Sequence, residues 1–298
     1  MNRQAEVSQA NKLERIARIV LGITLAAIIV VLAALTVHRL ELSAAPPPYQ
    51  QAGEWEIMFR DEFNGTELDR NKWVTCYWWD EDGCTNLGNN ELQWYQPENV
   101  LVENGNLILR ALEQPIIGYQ GQEFPYTSGM VTTASLDHDH PEDASFTFQY
   151  GFAEIRAKVP AGQGLWPAFW TLPIDYTSKP EIDILEILGH EPDAIHFAVH
   201  YLDEDGESDN EGEWWRGGPD FSADWHIYAV DWQEDRIIWY VDGIERWRFT
   251  NMDYMPATPL YLLLNLAVGG DWPGSPDETT EFPADFLIDY VRVWSRSQ

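Results

Sequence analysis

The segment Pro180 to Gly189, PEIDILEILG, makes two demands that rarely share one strand. It is apolar and β-branched enough to be buried in a sheet, yet Glu181, Asp183 and Glu186 interrupt it, and buried carboxylates need partners or a purpose. One purpose is retaining glycoside hydrolysis, which uses two carboxyl groups about 5 to 5.5 Å apart, one attacking the sugar carbon and one protonating the leaving oxygen. In a regular strand Glu181 and Asp183 share a face, while Glu186, an odd number of residues away, points to the other. One bulge residue between Asp183 and Glu186 returns all three acids to a single face. The two Glu Cα atoms then stand about 13 Å apart at ~3.3 Å per residue, a gap that two long side chains leaning together on a concave sheet can close. With 49 acids in 298 residues, three acids at one fixed spacing are expected roughly once by chance, so placement carries more than spacing. Just upstream, Gly164 to Pro173 (GLWPAFWTLP) supplies Trp166 and Trp170. Each indole suits either a sugar-binding platform or the core of a β-sandwich.

A sheet must hold these acids, and the chain is built to make one. After residue 52 there is almost no helical periodicity; short alternating runs are punctuated by Gly, Pro, Asn and Asp, which predicts an all-β sandwich. Phe152, Glu154, Arg156 and Lys158 alternate with Ala153, Ile155, Ala157 and Val159, so one face meets a core and the other meets solvent or a ligand. Asp242-Gly243 separates two apolar-rich runs within Arg236 to Phe249, the pattern of a tight hairpin. Leu260 to Ala267 reads as an interior strand and Phe286 to Trp294 as a closing strand. No internal repeat or composition break divides residues 53–298, which read as one catalytic domain.

At this point the residues carry a resemblance. EIDILE resembles the catalytic signature of glycoside hydrolase family 16, in the longer bulged form of its laminarinase-like members, the endo-β-1,3-glucanase branch. RDEFNGTELDRNKW (60–73), NNELQWY (89–95), NVLVENGNLIL (99–109), GLWPAFWTLP, WHIYAVDW, NLAVGGDWPG and IDYVRVW follow in family order and cover nearly all of residues 55–294. The resemblance implies a concanavalin A-like β-jelly-roll whose concave sheet forms an open cleft, suited to cutting inside a polymer. It implies Glu181 as nucleophile, Glu186 as general acid/base and Asp183 as the group that tunes the nucleophile. It also places Asn90 and Glu91 at the sugar-binding edge and His200 at the cleft border; a turn-forming asparagine and an ordinary satisfied histidine are the competing readings. A structural calcium would map to Glu62, Gly105 and Asp289, although acidic surfaces offer similar sets widely. No cofactor is implied for catalysis. The family often carries Arg where this chain has Met130, which bears on substrate preference.

Three further tryptophans, Trp214, Trp215 and Trp272, stand in Gly- and acid-rich stretches that read as loops, where a rim role in sugar stacking is expected. His196 and His200 alternate onto one face of AIHFAVHY; zinc is rejected because the segment reads as strand and lacks the intervening Glu of a metallopeptidase helix. Cys76 and Cys84 are the sole cysteines, a close pair suited to a disulfide in an oxidising compartment, with free buried thiols as the alternative.

Charge narrows the partners. Residues 1–50 hold five Lys/Arg against three Asp/Glu, a charge of +2, so the remainder carries −33 to reach the total of −31. Such a polyanion repels nucleic acid and disfavours sulfated or uronate-rich polymers, so a neutral polysaccharide is the expected partner of a monomeric domain. The uncharged run at 19–37 is long enough for a membrane-spanning helix. Lys12, Arg15 and Arg18 precede it, which places residues 1–18 in the cytoplasm and the body outside. Residues 38–52 read as a Pro-rich tether. Ser43-Ala44-Ala45 keeps a cleaved signal peptide, and hence secretion, open as the alternative to an anchor. The function expected is endo-hydrolysis of internal β-1,3, or mixed β-1,3/1,4, glucan bonds. The same acids would equally serve a glycosidase or transglycosylase acting on agar or carrageenan. A non-catalytic glucan-binding protein is the alternative of another class.

Overall fold

The computed structural model describes residues 46–78, 84–137, 140–175 and 177–296, with Val20 and Thr24 of the N-terminal stretch. Val20 and Thr24 are helical, and the Thr24 hydroxyl donates to the Val20 carbonyl. The rest of the apolar run at 19–37, where the anchor is expected, lies outside the described residues; among those described, no helix is long and apolar enough to cross a membrane. The chain divides into units at residues 1–46 and 47–298. The end of the stretch read as tether therefore belongs to the second unit. Pro48 is buried there and the Tyr49 amide donates to the buried Glu154 carboxylate at 2.9 Å.

Strands follow in chain order as β1 (Trp55–Asp61), β2 (Gln93–Tyr95), β3 (Val100–Glu103), β4 (Asn106–Ala111), β5 (Ile116–Ile117), β6 (Glu123–Phe124), β7 (Tyr126–Ser128), β8 (Met130–Thr132) and β9 (Gly151–Lys158). Then come β10 (Leu165–Pro173), β11 (Glu181–Glu186), β12 (Ala194–Leu202), β13 (Ser208–Arg216), β14 (His226–Trp232), β15 (Ile237–Val241), β16 (Ile244–Phe249), β17 (Leu260–Val268) and β18 (Ala284–Arg296). They build a jelly-roll sandwich. One sheet runs β16-β15-β14-β9-β18-β4-β3, with β1 added along β18; the other runs β13-β12-β11-β10-β17-β8. Asp242 and Gly243, at φ 52° and 75°, form the turn between β15 and β16. Both central residues of such a turn need positive φ, which asparagine-like residues and glycine reach most cheaply.

The core lies between the sheets and is filled by alternate residues. On β9 these are Ala153, Ile155 and Ala157; on β17, Leu260, Leu262, Leu264, Leu266 and Val268; on β11, Ile182, Ile184 and Leu185. The outer face of β9 is not simply wet. Phe152 is buried against Trp55, Tyr240 and Trp294, and Glu154 accepts a hydrogen bond from Tyr290 Oη at 2.8 Å. The opposite face of the second sheet carries a smaller apolar cluster of Tyr77, Trp94, Tyr95, Phe124, Met130, Leu172, Tyr261 and Leu263. Full burial of Met130 there puts an apolar side chain where the family often has Arg, so this position gives no charge to the surface above it.

Candidate active site

The acids reach one face through a bulge. Opposite β12, Asp183 pairs with Ala198 and Glu186 with His196; opposite β10, Trp170 pairs with Asp183 and Phe169 with Leu185. Two residues of β11, Ile184 and Leu185, thus face a single residue of β12, and Ile184 is skipped along β10. Both isoleucine and leucine side chains enter the core, which anchors the bulge by burial. Glu181, Asp183 and Glu186 consequently line a cleft of about 710 Å³ together with Trp166, Trp170, Lys179, His196, His200, Asn265 and Trp272.

Each acid has its own partners. Glu181 Oε2 accepts a hydrogen bond from Lys179 Nζ at 2.7 Å. Asp183 Oδ2 stands 3.0 Å from His200 Nε2. Glu186 Oε1 accepts from Trp166 Nε1 at 3.2 Å, and its Oε2 lies 3.1 Å from His196 Nδ1. A carboxylate oxygen of Glu181, one of Asp183 and a ring nitrogen of His200 all lie within 4.8 Å of one another. Burial and the neighbouring Asp183 charge raise Glu181 to about 7. Burial and the Glu181 charge raise Glu186 to about 8, against the weaker pull of His200, Trp166 and Lys179. Asp183 is raised by burial and by Glu186, with His200 opposing. Burial works against the His200 cation, but the Asp183 and Glu181 carboxylates overcome it and raise His200 to about 9. His196, by contrast, is lowered by burial. A charged imidazole therefore faces Asp183 and a neutral one faces Glu186, which leaves Glu186 as the carboxyl that best keeps its proton.

The floor and walls are equally ordered. Trp170 Nε1 donates to Asn265 Oδ1 at 2.7 Å, and Asn265 Nδ2 donates to Tyr95 Oη at 3.0 Å. Glu91 is buried in the cleft wall, its Oε1 accepting from Asn89 Nδ2 at 3.0 Å and its Oε2 from Gln93. Trp166, Trp214, Trp272 and His196 form an aromatic cluster with ring centroids 5.0 to 5.7 Å apart. A disulfide joins Cys76 to Cys84, and Tyr77 and Trp78 of that loop line the cleft.

Two expected binding residues stand elsewhere. Trp215 is on β13, which is a strand and not a loop, so it points away from its neighbour Trp214. It packs on Phe221 and the core while the Arg246 guanidinium lies 3.6 Å over its ring. Asn90 has φ 54° and is turned outward, donating to Asp271 Oδ2 at 3.0 Å; Asn86 and Asn89 line the cleft instead. The calcium set converges only in part. The pairing of Asp61 with Val291 and of Leu107 with Ile288 brings Glu62 and the Gly105 turn to the same stretch of β18 as Asp289. Yet both Glu62 oxygens accept from Arg292, at 2.8 and 2.7 Å, and Asp289 Oδ2 accepts from Arg156 at 2.7 Å. Side-chain oxygens already neutralised by guanidinium groups do not fit a cation held by free carboxylates. Lys179, Asn265, Asn86 and Asn89 were not legible in the sequence as site residues, and His196 was legible only as a histidine sharing a strand face with His200. Asn265 carried a signal, being the lone polar residue in LYLLLNLAV.

The family model of Glycosyl hydrolases family 16 matches residues 91–292. The chain belongs to this family. It is 32% identical over 278 residues to glucan endo-1,3-beta-glucosidase A1 of Niallia circulans, covering 85% of this chain and 40% of that protein. It is 36% identical over 271 residues to a beta-glucanase of Rhodothermus marinus, covering 82% of this chain and 86% of that one. The laminarinase catalytic domain of Thermotoga maritima superposes with a TM-score of 0.72 at 34% identity, covering 82% of this chain and all of that domain. The chain thus spans less than half the length of the Niallia protein and most of the Rhodothermus one. In this chain the bulged strand β11 is the element that presents the three acids.

Proposed function

We propose that this chain is a retaining endo-glycosidase that cuts internal β-1,3 bonds of a glucan and accepts mixed β-1,3/1,4 chains. The observation that carries the reading is the β11 bulge, which puts Glu181 and Glu186 into one cleft with their proton affinities set apart in the useful order. Glu181 attacks the anomeric carbon while Glu186 protonates the departing oxygen; water then enters with Glu186 as base and releases the sugar with its configuration retained. Asp183, held against the charged His200, lies between the two and adjusts Glu181. The names borne by the Niallia, Rhodothermus and Thermotoga relatives support the β-1,3 linkage. The net charge supports a neutral polymer over sulfated ones. Both catalytic acids are present, which weighs against a glucan-binding protein without activity.

No step of this chemistry uses a metal, and the pairing of Glu62 and Asp289 with arginines gives calcium no free side-chain oxygens at Glu62. The run at 19–37 serves, in this reading, as a membrane anchor with the body outside the cytoplasm as a monomer. Incubation with laminarin, lichenan, agarose and κ-carrageenan tests the substrate: oligosaccharides should appear from the first two, with the β-anomer first by proton NMR. Release from none of the four overturns the enzyme reading. A tag after residue 298 should be open to protease on intact cells; protection until the cells are broken overturns the topology.

A further inference from the structure

The base of the cleft contains a cation that the sequence pattern of the acids does not reveal. Lys179 is one of four lysines in the chain, and its ammonium is 2.7 Å from Glu181 Oε2 with the two side chains 14% and 17% exposed. The titratable groups acting on Glu181 come from every neighbouring element. Asp183 and Glu186 lie on its own strand, His200 on β12, Lys179 in the preceding loop and Tyr77 in the disulfide-closed loop. With Lys179 and His200 cationic, a single proton among the three carboxyls leaves the cluster neutral, and the proposed steps place that proton on Glu186. His200 is committed to Asp183. Among the described residues, Lys179 is therefore the cation in contact with Glu181.

We propose that Lys179 is a positioning residue for the nucleophile, holding Oε2 of Glu181 so that the carboxylate stays ionised beside a protonated Glu186 and leaves Oε1 for attack. The inference rests on Glu181 being the nucleophile. In the attack, Oε1 bonds the anomeric carbon as the glycosidic C–O bond breaks; the bonding pair leaves with the departing oxygen, which takes the Glu186 proton. Glu181 loses its charge in the resulting ester, so the ammonium acts chiefly on the free enzyme, before attack. Its removal should weaken the enzyme at low pH far more than at the optimum.

The test compares the full chain with Lys179→Met, Lys179→Gln and Lys179→Arg, on laminarin from about pH 4 to about pH 10. A carbon-13 NMR titration of the Glu181 carboxyl, assigned with Glu181→Gln, runs beside it. The two neutral variants should move the acid limb of kcat/KM and the Glu181 titration up together by about one pH unit. About tenfold of activity is then lost below the limb and little at the optimum, and Lys179→Arg should restore the limb. A limb and titration unmoved in both folded neutral variants overturns the proposal, as does an equal loss at every pH that Arg does not restore. If the wild type cuts none of the polymers while Lys179→Met still moves the Glu181 titration, the proposed function falls and the positioning role stands.

Discussion

Glu181 and Glu186 perform their proposed steps only in opposite protonation states, and their surroundings set the pH window in which that holds. Glu181 must be ionised and is raised to about 7; Glu186 must be protonated and is raised to about 8. Because the two interact, these are limits of the pair. A kcat/KM profile on laminarin should be bell-shaped, rising through about 7 and falling through about 8. Replacing Glu181 by Gln should cost on the order of 10³-fold or more in kcat, since an amide oxygen cannot form the ester. The same shifts bear on stability. Both carboxyls hold protons more tightly folded than unfolded, so their contribution is full below the unfolded value and is lost as pH rises through the folded one. Glu186→Gln should therefore raise Tm at pH 9 by about 2 °C or more and change it little at pH 4; calorimetry at the two pH values decides this. Spacing and residue type were enough to single out the three acids. Lys179 was not legible, because a lysine before a proline looks like any loop residue until the chain folds its ammonium onto Glu181.

At the scale of the strand, alternation decides which residues work and which hold the fold. Trp214 and Trp215 are adjacent on β13 and face opposite ways, one to the cleft and one to the core side. Trp214→Ala should raise KM for laminarin about tenfold with little change in Tm. Trp215→Ala should lose ~2 kcal/mol of stability and leave KM nearly unchanged. The two were indistinguishable in the sequence because acids and glycine disguise β13 as a loop; only its pairing with β12 reveals a strand. Asn265→Leu belongs to the same scale. It removes one hydrogen bond each from the half-buried Trp170 and the buried Tyr95, which should cost about 1 kcal/mol in denaturant melts and loosen substrate binding. The bulge was legible as a requirement, since three acids in an apolar strand have no other route to one face. Its position at Ile184 was not, because that depends on which neighbours the flanking strands present.

Across the whole molecule the charge and the two-sheet architecture act together. An acidic body with a local balance of charge in its cleft should treat a neutral glucan alike at low and high ionic strength. Raising NaCl from about 0.05 to about 0.5 M should change kcat/KM for laminarin less than about twofold. A steep salt dependence would show that the field of the body steers its substrate. By itself the sequence determined the β-sandwich, the acid triplet and the need for a bulge, and its charge pointed to a neutral polymer as the expected partner. Those follow from period, burial cost and charge, which are properties of residues taken in order. The tertiary structure decided the partners: Lys179 with Glu181, His200 with Asp183, His196 and Trp166 with Glu186, and arginines on Glu62 and Asp289. Those contacts join residues from separate strands and loops, and their geometry depends on how two twisted sheets align, a quantity that no local pattern in the chain encodes.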